Sequence, residues 1–364
     1  MDLQVLELMP GARALVRDYA NTQPGEKVLI ITDTSGFATP PVVQSIALAS
    51  KEAGAEVVVI TCHNFDPRVE EPPEVVTGAI LNSDIVFDLG AHEATIHSRT
   101  GRIAVFEYGV KLINVTANTP ELLASDWAKF PVELLAHIYR KVFEKVHSGK
   151  SIRVTSIGGT DITAGISPSH IMGFSRDEAG FPKYPSPKGV PLLSMWPMGV
   201  LGLVPQPPAT GVIVFDALLG IKGRLKQPVK ITVENNRFTG IHGGEEARWF
   251  LNLVQQKKRE GIDSADYLVE IMWGLNPRAS IERGLELIHL RESELTRRAG
   301  TIHFGCGGFG GGFHWDGIII TPFSVFIDGE AIIENGRVKA LDLPETRQLA
   351  EKLGRPDKLL SEQL

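Results

Sequence analysis

The segment from Thr301 to Pro322, TIHFGCGGFGGGFHWDGIIITP, has the clearest potential for chemistry in this chain. Two histidines and an aspartate, His303, His314 and Asp316, are side chains that bind divalent transition metals. Six of the ten residues between the histidines are glycine, which permits backbone conformations that a Cβ would forbid. The chain can therefore fold back and bring the histidines together. The alternative interpretation is a flexible glycine-rich connection whose histidines are incidental.

The H-x-D step at the end of this segment fits a strand. Side chains two residues apart on a strand project from the same face, so His314 and Asp316 can contact one ion. Three protein ligands leave coordination positions free for water or substrate, which is the pattern of a catalytic metal. The segment therefore predicts a catalytic metal site built on His303, His314 and Asp316.

Glu270 is a further candidate ligand, because it lies inside the apolar run DYLVEIMWGLNP. An ionised carboxylate in such a run must be paired or ligated, since desolvating it alone is costly. A metal ion is one partner and a salt bridge with Arg278 is another; the nearby histidines and Asp316 favour the metal. Two imidazoles and two carboxylates suit Zn, Mn, Fe(II) or Co rather than Ca. The sequence does not choose among these metals.

Other polar residues have weaker claims to the site. His242, in TGIHGGEEA, could contact the substrate or be a turn residue, while His92 and His97 follow a strand end, where open α/β sheets bind ligands. These two histidines could reach the site from the other domain. Asp161 fits a turn role as well as a substrate contact, and Cys306 fits a packing role. The motifs of nucleophile-elbow hydrolases and of H-E-x-x-H metalloproteases are absent.

Length and composition indicate a globular protein of two domains. A chain of 364 residues exceeds the size at which one hydrophobic core keeps growing. The formal net charge of −6, without long runs of one sign, argues against nucleic acid or a membrane surface as the main partner. Two distant cysteines exclude a disulfide framework and favour a cytoplasmic location. Neither a secretory signal nor an apolar run long enough for a membrane span is recognisable.

The pattern of elements predicts an α/β fold in two parts. Apolar strands alternate with helices over residues 1–150, which predicts an N-terminal open parallel α/β (Rossmann-like) sheet domain covered on both faces. Residues 151–364 are rich in alternating strands and glycines, which predicts a β-rich α+β metal-binding catalytic domain. The loop GFATPP lacks the glycine spacing of a dinucleotide or phosphate site. The predicted strands of the first part are 25–33, 57–62, 84–90 and 109–115.

Several motifs resemble the thermophilic metalloprotease (aminopeptidase T) family and its relative, 2,5-dihydroxypyridine 5,6-dioxygenase. They are GGTDITAG, WPMGVLGLVP, VIVFDALLG, FTGIHGG, EIMWGLNPRA, GTIHFG and HWDGII, and the resemblance covers nearly the whole chain. The aminopeptidase resemblance implies that Glu270, His303, His314 and Asp316 hold metal. It also implies a homodimer.

The chain departs from both patterns. Val200 stands where the aminopeptidases have a metal-binding glutamate, which favours one metal per chain over two. The dioxygenase pattern has a histidine at the position of Glu270, followed by the closing H-x-D. In this chain His303 could restore two histidines and a carboxylate.

Two enzymatic hypotheses and one non-enzymatic hypothesis follow. The first is an aminopeptidase-like hydrolase of an amide or small peptide-like substrate, with a metal-activated water and Glu270 as a ligand or general base. The alternative is a non-haem Fe(II) dioxygenase that opens a hydroxylated ring, with His303, His314 and Asp316 as ligands. In that case His97 or His242 could move a proton. The third hypothesis is a binding protein on the same fold.

Overall fold

The computed structural model describes residues 3–36, 38–63, 71–90, 98–172, 192–288, 294–308 and 313–362. The chain forms two compact units. The first comprises residues 1–136 and 174–198, and the second comprises residues 137–173 and 199–364. The predicted α/β class, with a parallel sheet first and antiparallel sheets later, is confirmed.

A five-stranded parallel sheet organises the first unit, with strand order β2-β1-β3-β4-β8. Strand β1 is buried along nearly its whole length, as expected for a parallel strand covered on both faces. Helix α2 (Pro40–Glu52) follows it and starts with two prolines, which suit the first turn because they have no N–H that would need an acceptor there. The strands are β1 Lys27–Asp33, β2 Glu56–Cys62, β3 Ile85–Asp88, β4 Lys111–Val115 and β8 Leu192–Trp196.

Strand β8 comes from the part of the chain that the sequence assigned to the second domain. We assigned residues 151–364 to the second domain, yet Leu192–Trp196 pairs in parallel with β4 in the first sheet. The pairing partner of the short run LLSMW is set by tertiary structure rather than by its local sequence. The boundary near residue 150 otherwise stays a prediction.

The second unit contains an eight-stranded and a six-stranded sheet. The eight-stranded order is β13-β12-β10-β6-β5-β17-β18-β19 and the six-stranded order is β11-β16-β15-β14-β9-β7. The strands are β5 Ser151–Ser156, β6 Asp161–Gly165, β7 Ile171–Met172, β9 Val200–Leu203, β10 Gln206–Phe215, β11 Ala217–Leu218, β12 Val229–Glu234, β13 Arg237–His242, β14 Leu268–Gly274, β15 Ile302–Gly307, β16 His314–Ile319, β17 Phe323–Ile327, β18 Glu330–Glu334 and β19 Arg337–Val338.

One face of the six-stranded sheet packs on aromatic core residues. Phe304 of β15 lies with its ring centroid 6.2 Å from that of Phe215, which ends β10 of the eight-stranded sheet. Gly317 of β16 leaves room for the Phe215 ring, since an added Cβ would collide with it. Because side chains alternate along a strand, the neighbours of Phe304, His303 and Gly305, face the other way.

Helices connect and cover these sheets. Among the described helices, none is long and apolar enough to cross a membrane. The α-helices are α1 Leu3–Arg13, α2 Pro40–Glu52, α3 Glu74–Leu81, α4 Arg99–Phe106, α5 Pro120–Leu123, α6 Val132–Ser148, α7 Glu245–Arg259, α8 Ile281–Leu287, α9 Glu294–Arg297, α10 Pro344–Leu353 and α11 Pro356–Leu359.

A buried ion pair lies in the first unit at the start of β4. Lys111 Nζ is 3.7 Å from Glu26 Oε1, and both side chains are 2% exposed. Lys111 Nζ also donates to the carbonyl oxygen of Ala20 at 2.9 Å, and Glu26 Oε2 accepts from the backbone N–H of Gln23 at 2.7 Å. The pair therefore ties β4 to the segment before β1.

We expect Lys111→Met to destabilise the protein by about 3–5 kcal/mol, because it leaves the Glu26 carboxylate buried without a cation. The double variant with Glu26→Gln should recover much of this loss. Urea unfolding midpoints followed by circular dichroism measure both effects. Lys145→Met, which breaks the exposed pair with Glu330, is the control and should cost at most about 1 kcal/mol. Equal losses for the two single variants would contradict the expectation.

Candidate metal centre

Three neighbouring strands place the predicted ligands on one face. Glu270 of β14 is opposite Gly305 of β15, and Gly305 is opposite Asp316 of β16. Directly paired residues project to the same side of a sheet, and so do residues two apart on one strand. His303 and His314 therefore project with the two carboxylates, away from the Phe304 core.

Gly305 provides the space between the two carboxylates. A Cβ added at this residue would lie 2.8 Å from both Cδ and Oε1 of Glu270. Side-chain atoms do not approach this closely without a displacement. The glycine thus lets the Glu270 carboxylate lie over β15, where it faces Asp316 on the far strand.

The imidazoles converge on the same point. His303 Nε2 is 3.3 Å from Glu270 Oε1, and His314 Nε2 is 3.4 Å from the same oxygen. His314 Nε2 is also 3.2 Å from Asp316 Oδ1. The structure therefore brings together all four side chains that the sequence proposed as ligands; that they bind a metal stays a prediction.

The carboxylates and imidazoles stabilise each other's charges. Burial raises the pKa of Glu270, but hydrogen bonds from His303 and His314 outweigh it and hold this pKa well below its ordinary range. Burial lowers the pKa of His314, but Asp316 and Glu270 outweigh it and raise this pKa to about 11. The site therefore favours positive charge between its carboxylates.

These residues fit a divalent transition metal. One ligand atom each from Glu270, His303 and Asp316 lie within 4.8 Å of one another, and His314 contacts two of these residues. The mixed nitrogen and oxygen donors suit Zn, Mn, Fe(II) or Co. Nδ1 of His303 is buried and has no hydrogen-bond partner among the described residues. Such an orphaned atom points to a partner that protein groups do not supply.

The other candidate site residues differ in where they lie. His242 is exposed at the end of β13, an edge strand of the eight-stranded sheet, where its ring lies beside Gly240. His92 and His97 lie outside the described residues, so their roles stay predictions. Asp161 forms an exposed ion pair with Arg153 at 2.7 Å, which fits a structural role.

Cys306 is a core residue of β15. It is 1% exposed and projects away from its neighbour Gly305. Burial, then the charges of Asp316, Glu270 and Asp266, raise the pKa of its thiol well above the ordinary value. A buried neutral thiol is inert as a nucleophile, in line with the predicted packing role.

Val200 begins β9 and pairs with Gly274 of β14. It projects from the ligand face, but its partner Gly274 lies four residues after Glu270 on β14, and Val200 itself is 6% exposed. Its side chain has no donor atom for a metal. One metal per chain therefore stays our prediction for this ligand set.

Two residues of this face were missed from the sequence. Gly305 was counted only as part of a flexible segment, although its period-2 spacing from His303 signals a shared face. Met272 was not considered, although it lies two residues after Glu270 in the same strand. Strand periodicity could have found both residues, but their exposure and contacts depend on strand register.

Comparison with known proteins identifies the family of this chain. A model of the 2,5-dihydroxypyridine 5,6-dioxygenase family matches residues 16–340, which is most of the chain. The chain belongs to this family. As a member of this family it is an enzyme, as the sequence predicted. No curated protein sequence matches it.

Two solved structures are similar to this family member over most of their length. A 2,5-dihydroxypyridine dioxygenase from Pseudomonas putida KT2440 gives a TM-score of 0.65 at 18% identity, covering 92% of this chain and 97% of that one. AmpT from Thermus thermophilus gives a TM-score of 0.61 at 12% identity, covering 92% of this chain and 99% of that one. Both predicted resemblances are thereby confirmed, and at these identities they establish the fold.

We expect His314→Ala and Asp316→Ala each to abolish or severely weaken metal binding, because no neighbouring side chain can replace the lost ligand. Metal content after dialysis, measured by plasma mass spectrometry, tests this expectation and the stoichiometry of one metal per chain. His170→Ala, an exposed histidine on another segment, is the control and should keep the metal. Full metal content in both ligand variants would place the site elsewhere.

We expect Gly305→Ala to lower metal affinity by at least tenfold while the protein stays folded, because the new methyl group displaces the Glu270 carboxylate. Competition with a chelator measures the affinity, and thermal unfolding of the metal-free protein checks the fold. Gly78→Ala in α3, where an added Cβ meets nothing within 4 Å, is the matched control. Unchanged affinity in Gly305→Ala would show that Glu270 does not bind the metal.

Proposed function

We propose that this chain is a metal-dependent dioxygenase that opens a hydroxylated N-heterocyclic or aromatic ring. The observation that carries the proposal is the convergence of two imidazoles and two carboxylates in a chain that belongs to the 2,5-dihydroxypyridine 5,6-dioxygenase family. The sequence alone led us to consider an amide hydrolase first. The family match favours the dioxygenase instead.

His303, His314 and Asp316 would hold the metal as two histidines and one carboxylate, the pattern of non-haem Fe(II) oxygenases. Iron in this setting supplies the one-electron redox capacity that reactions of dioxygen need. Ring opening by a dioxygenase adds both atoms of O₂ across one ring carbon–carbon bond, so it consumes no separate reductant.

Glu270 distinguishes this site from a simple three-ligand centre. Its Oε1 is within 3.4 Å of both imidazoles, and its carboxylate is ionised because its pKa is held low. It can therefore complete the ligand set, whereas its role as a proton acceptor stays a prediction, because so low a pKa makes a carboxylate a weak base. Its burial, at 4% exposure, keeps bulk water from competing for this carboxylate.

A hydrolase acting on an amide or small peptide-like substrate is the second candidate. The carboxylate at Glu270 favours it, because the aminopeptidase resemblance has a glutamate there and the dioxygenase resemblance a histidine. AmpT also shares the fold. In this case Glu270 would be a ligand or the general base for a water molecule.

The remaining features of the proposal concern the setting of the enzyme. We expect a small-molecule substrate, a homodimer and a cytoplasmic location. A role for His242 or His97 in moving a proton also stays a prediction, because the described contacts do not connect His242 with the ligands. Size-exclusion chromatography with light scattering tests the dimer.

The deciding experiment combines metal analysis of anaerobically purified protein with an oxygen electrode. Iron in the protein and oxygen uptake that depends on 2,5-dihydroxypyridine or a related ring support the dioxygenase. Zinc, manganese or cobalt, with hydrolysis of peptide-like amides and no oxygen uptake, would support the hydrolase.

Glu270→Gln separates the roles of this carboxylate in the same assays. If Glu270 is a ligand, the substitution should lower both metal affinity and turnover. If Glu270 is a proton acceptor, the substitution should lower turnover by about 10²–10⁴ while the metal stays bound. Normal metal content and a normal rate would leave Glu270 a structural residue.

A further inference from the structure

Met272 is a side chain on the ligand face that the ligand set does not use. It is two residues after Glu270 on β14, directly opposite His303 on one side and Gly202 of β9 on the other. Unlike the other residues of β14, which are buried, Met272 is half-buried. It is therefore an apolar group that a bound molecule can contact on this face.

Gly202 fixes the direction of the Met272 side chain. A Cβ built at Gly202 would lie 3.0 Å from both Cβ and Cε of Met272, so the thioether runs across β9 rather than toward β15. His303 extends along the face toward Glu270 instead. The two paired side chains thus lean apart, and Met272 is the more exposed of the two.

The two sides of the Met272–His303 pair differ in polarity. Toward Glu270 the face presents His314 and Asp316, with side chains 27% and 15% exposed. Toward β9 it presents the thioether of Met272, which lies across Gly202. The ligand-bearing strands β14, β15 and β16, and β9 beside them, contain neither Lys nor Arg.

We propose that Met272, lying across Gly202, receives the apolar edge of the substrate ring and selects rings that bear no carboxylate at that edge. This inference rests on the proposed dioxygenase function. A thioether makes favourable contacts with aromatic rings, whereas a carboxylate placed there would be desolvated without a cation from these strands. In 2,5-dihydroxypyridine the two hydroxyl groups are para to each other, so the C3–C4 edge, which carries only hydrogens, would face Met272 and one hydroxyl group would face His314 and Asp316.

Binding to the zinc-loaded protein tests the proposal without turnover, because zinc has no redox chemistry. Calorimetric titration with 2,5-dihydroxypyridine should give an affinity at least tenfold higher than titration with a carboxylated dihydroxypyridine. Met272→Ala and Met272→Gln should each weaken binding of the uncharged ring about tenfold, while Met272→Leu, which keeps an apolar side chain, should stay within about threefold of the parent protein.

Gly202→Ala provides an independent variant, because its methyl group displaces the Met272 side chain without changing it. It should also weaken binding of the uncharged ring. Met195→Ala, at a half-buried methionine in β8 of the first sheet, is the matched control and should leave binding unchanged. Metal content should be normal in every variant, since Met272 is not a ligand.

The outcomes separate this inference from the function on which it rests. If the parent protein binds the uncharged ring and the Met272 variants bind it equally well, the inference is overturned and the dioxygenase proposal stands. Equal affinity of the parent for the carboxylated ring also overturns the inference. If the parent protein binds neither ring and takes up no oxygen with them, the proposed function and the inference fail together.

Discussion

The site depends on one geometric constraint, the row that Glu270, Gly305 and Asp316 form across β14, β15 and β16. Adjacent strands are about 4.8 Å apart, so two residues on alternate strands have Cα atoms roughly 9–10 Å apart. Their carboxylates can approach each other only if the middle residue leaves the space between them empty. Glycine at position 305 meets this condition, and the longer side chain of Glu270 extends into the space.

Alternation along the strands connects this row to the core. Phe304 lies between His303 and Gly305 in sequence and packs on Phe215 behind the sheet. Gly317 follows Asp316 and accommodates the same ring. The positions of the ligands are therefore fixed by the packing of two sheets, which is more rigid than a loop. Charge also matters, because two carboxylates on a mostly buried face require positive charge beside them.

The fold does not by itself decide the reaction. A dioxygenase and AmpT share it with this chain at 18% and 12% identity, and one scaffold commonly supports several chemistries. The residue that bears most directly on the choice between the candidate reactions is Glu270, whose carboxylate matches the aminopeptidase pattern. The family match favours ring cleavage, while the ligand set retains features that would also serve hydrolysis.

The sequence by itself determined the elements and the ligand types. Its apolar strands and intervening helices predicted the parallel sheet, and the period of two in H-x-D placed His314 and Asp316 on one face before any pairing was known. The apolar surroundings of Glu270 showed that this carboxylate needed a cation. These inferences are local, because they depend on periodicity and on the cost of burying charge.

Only the tertiary structure decided which strands are neighbours and in what register. Nothing in the sequence aligns Glu270 with Gly305, thirty-five positions later, or lays Met272 across Gly202. The return of β8 to the first sheet was missed for the same reason. A strand pattern fixes which face a side chain takes within its own strand, whereas the partner across the sheet is chosen by the packing of the whole unit.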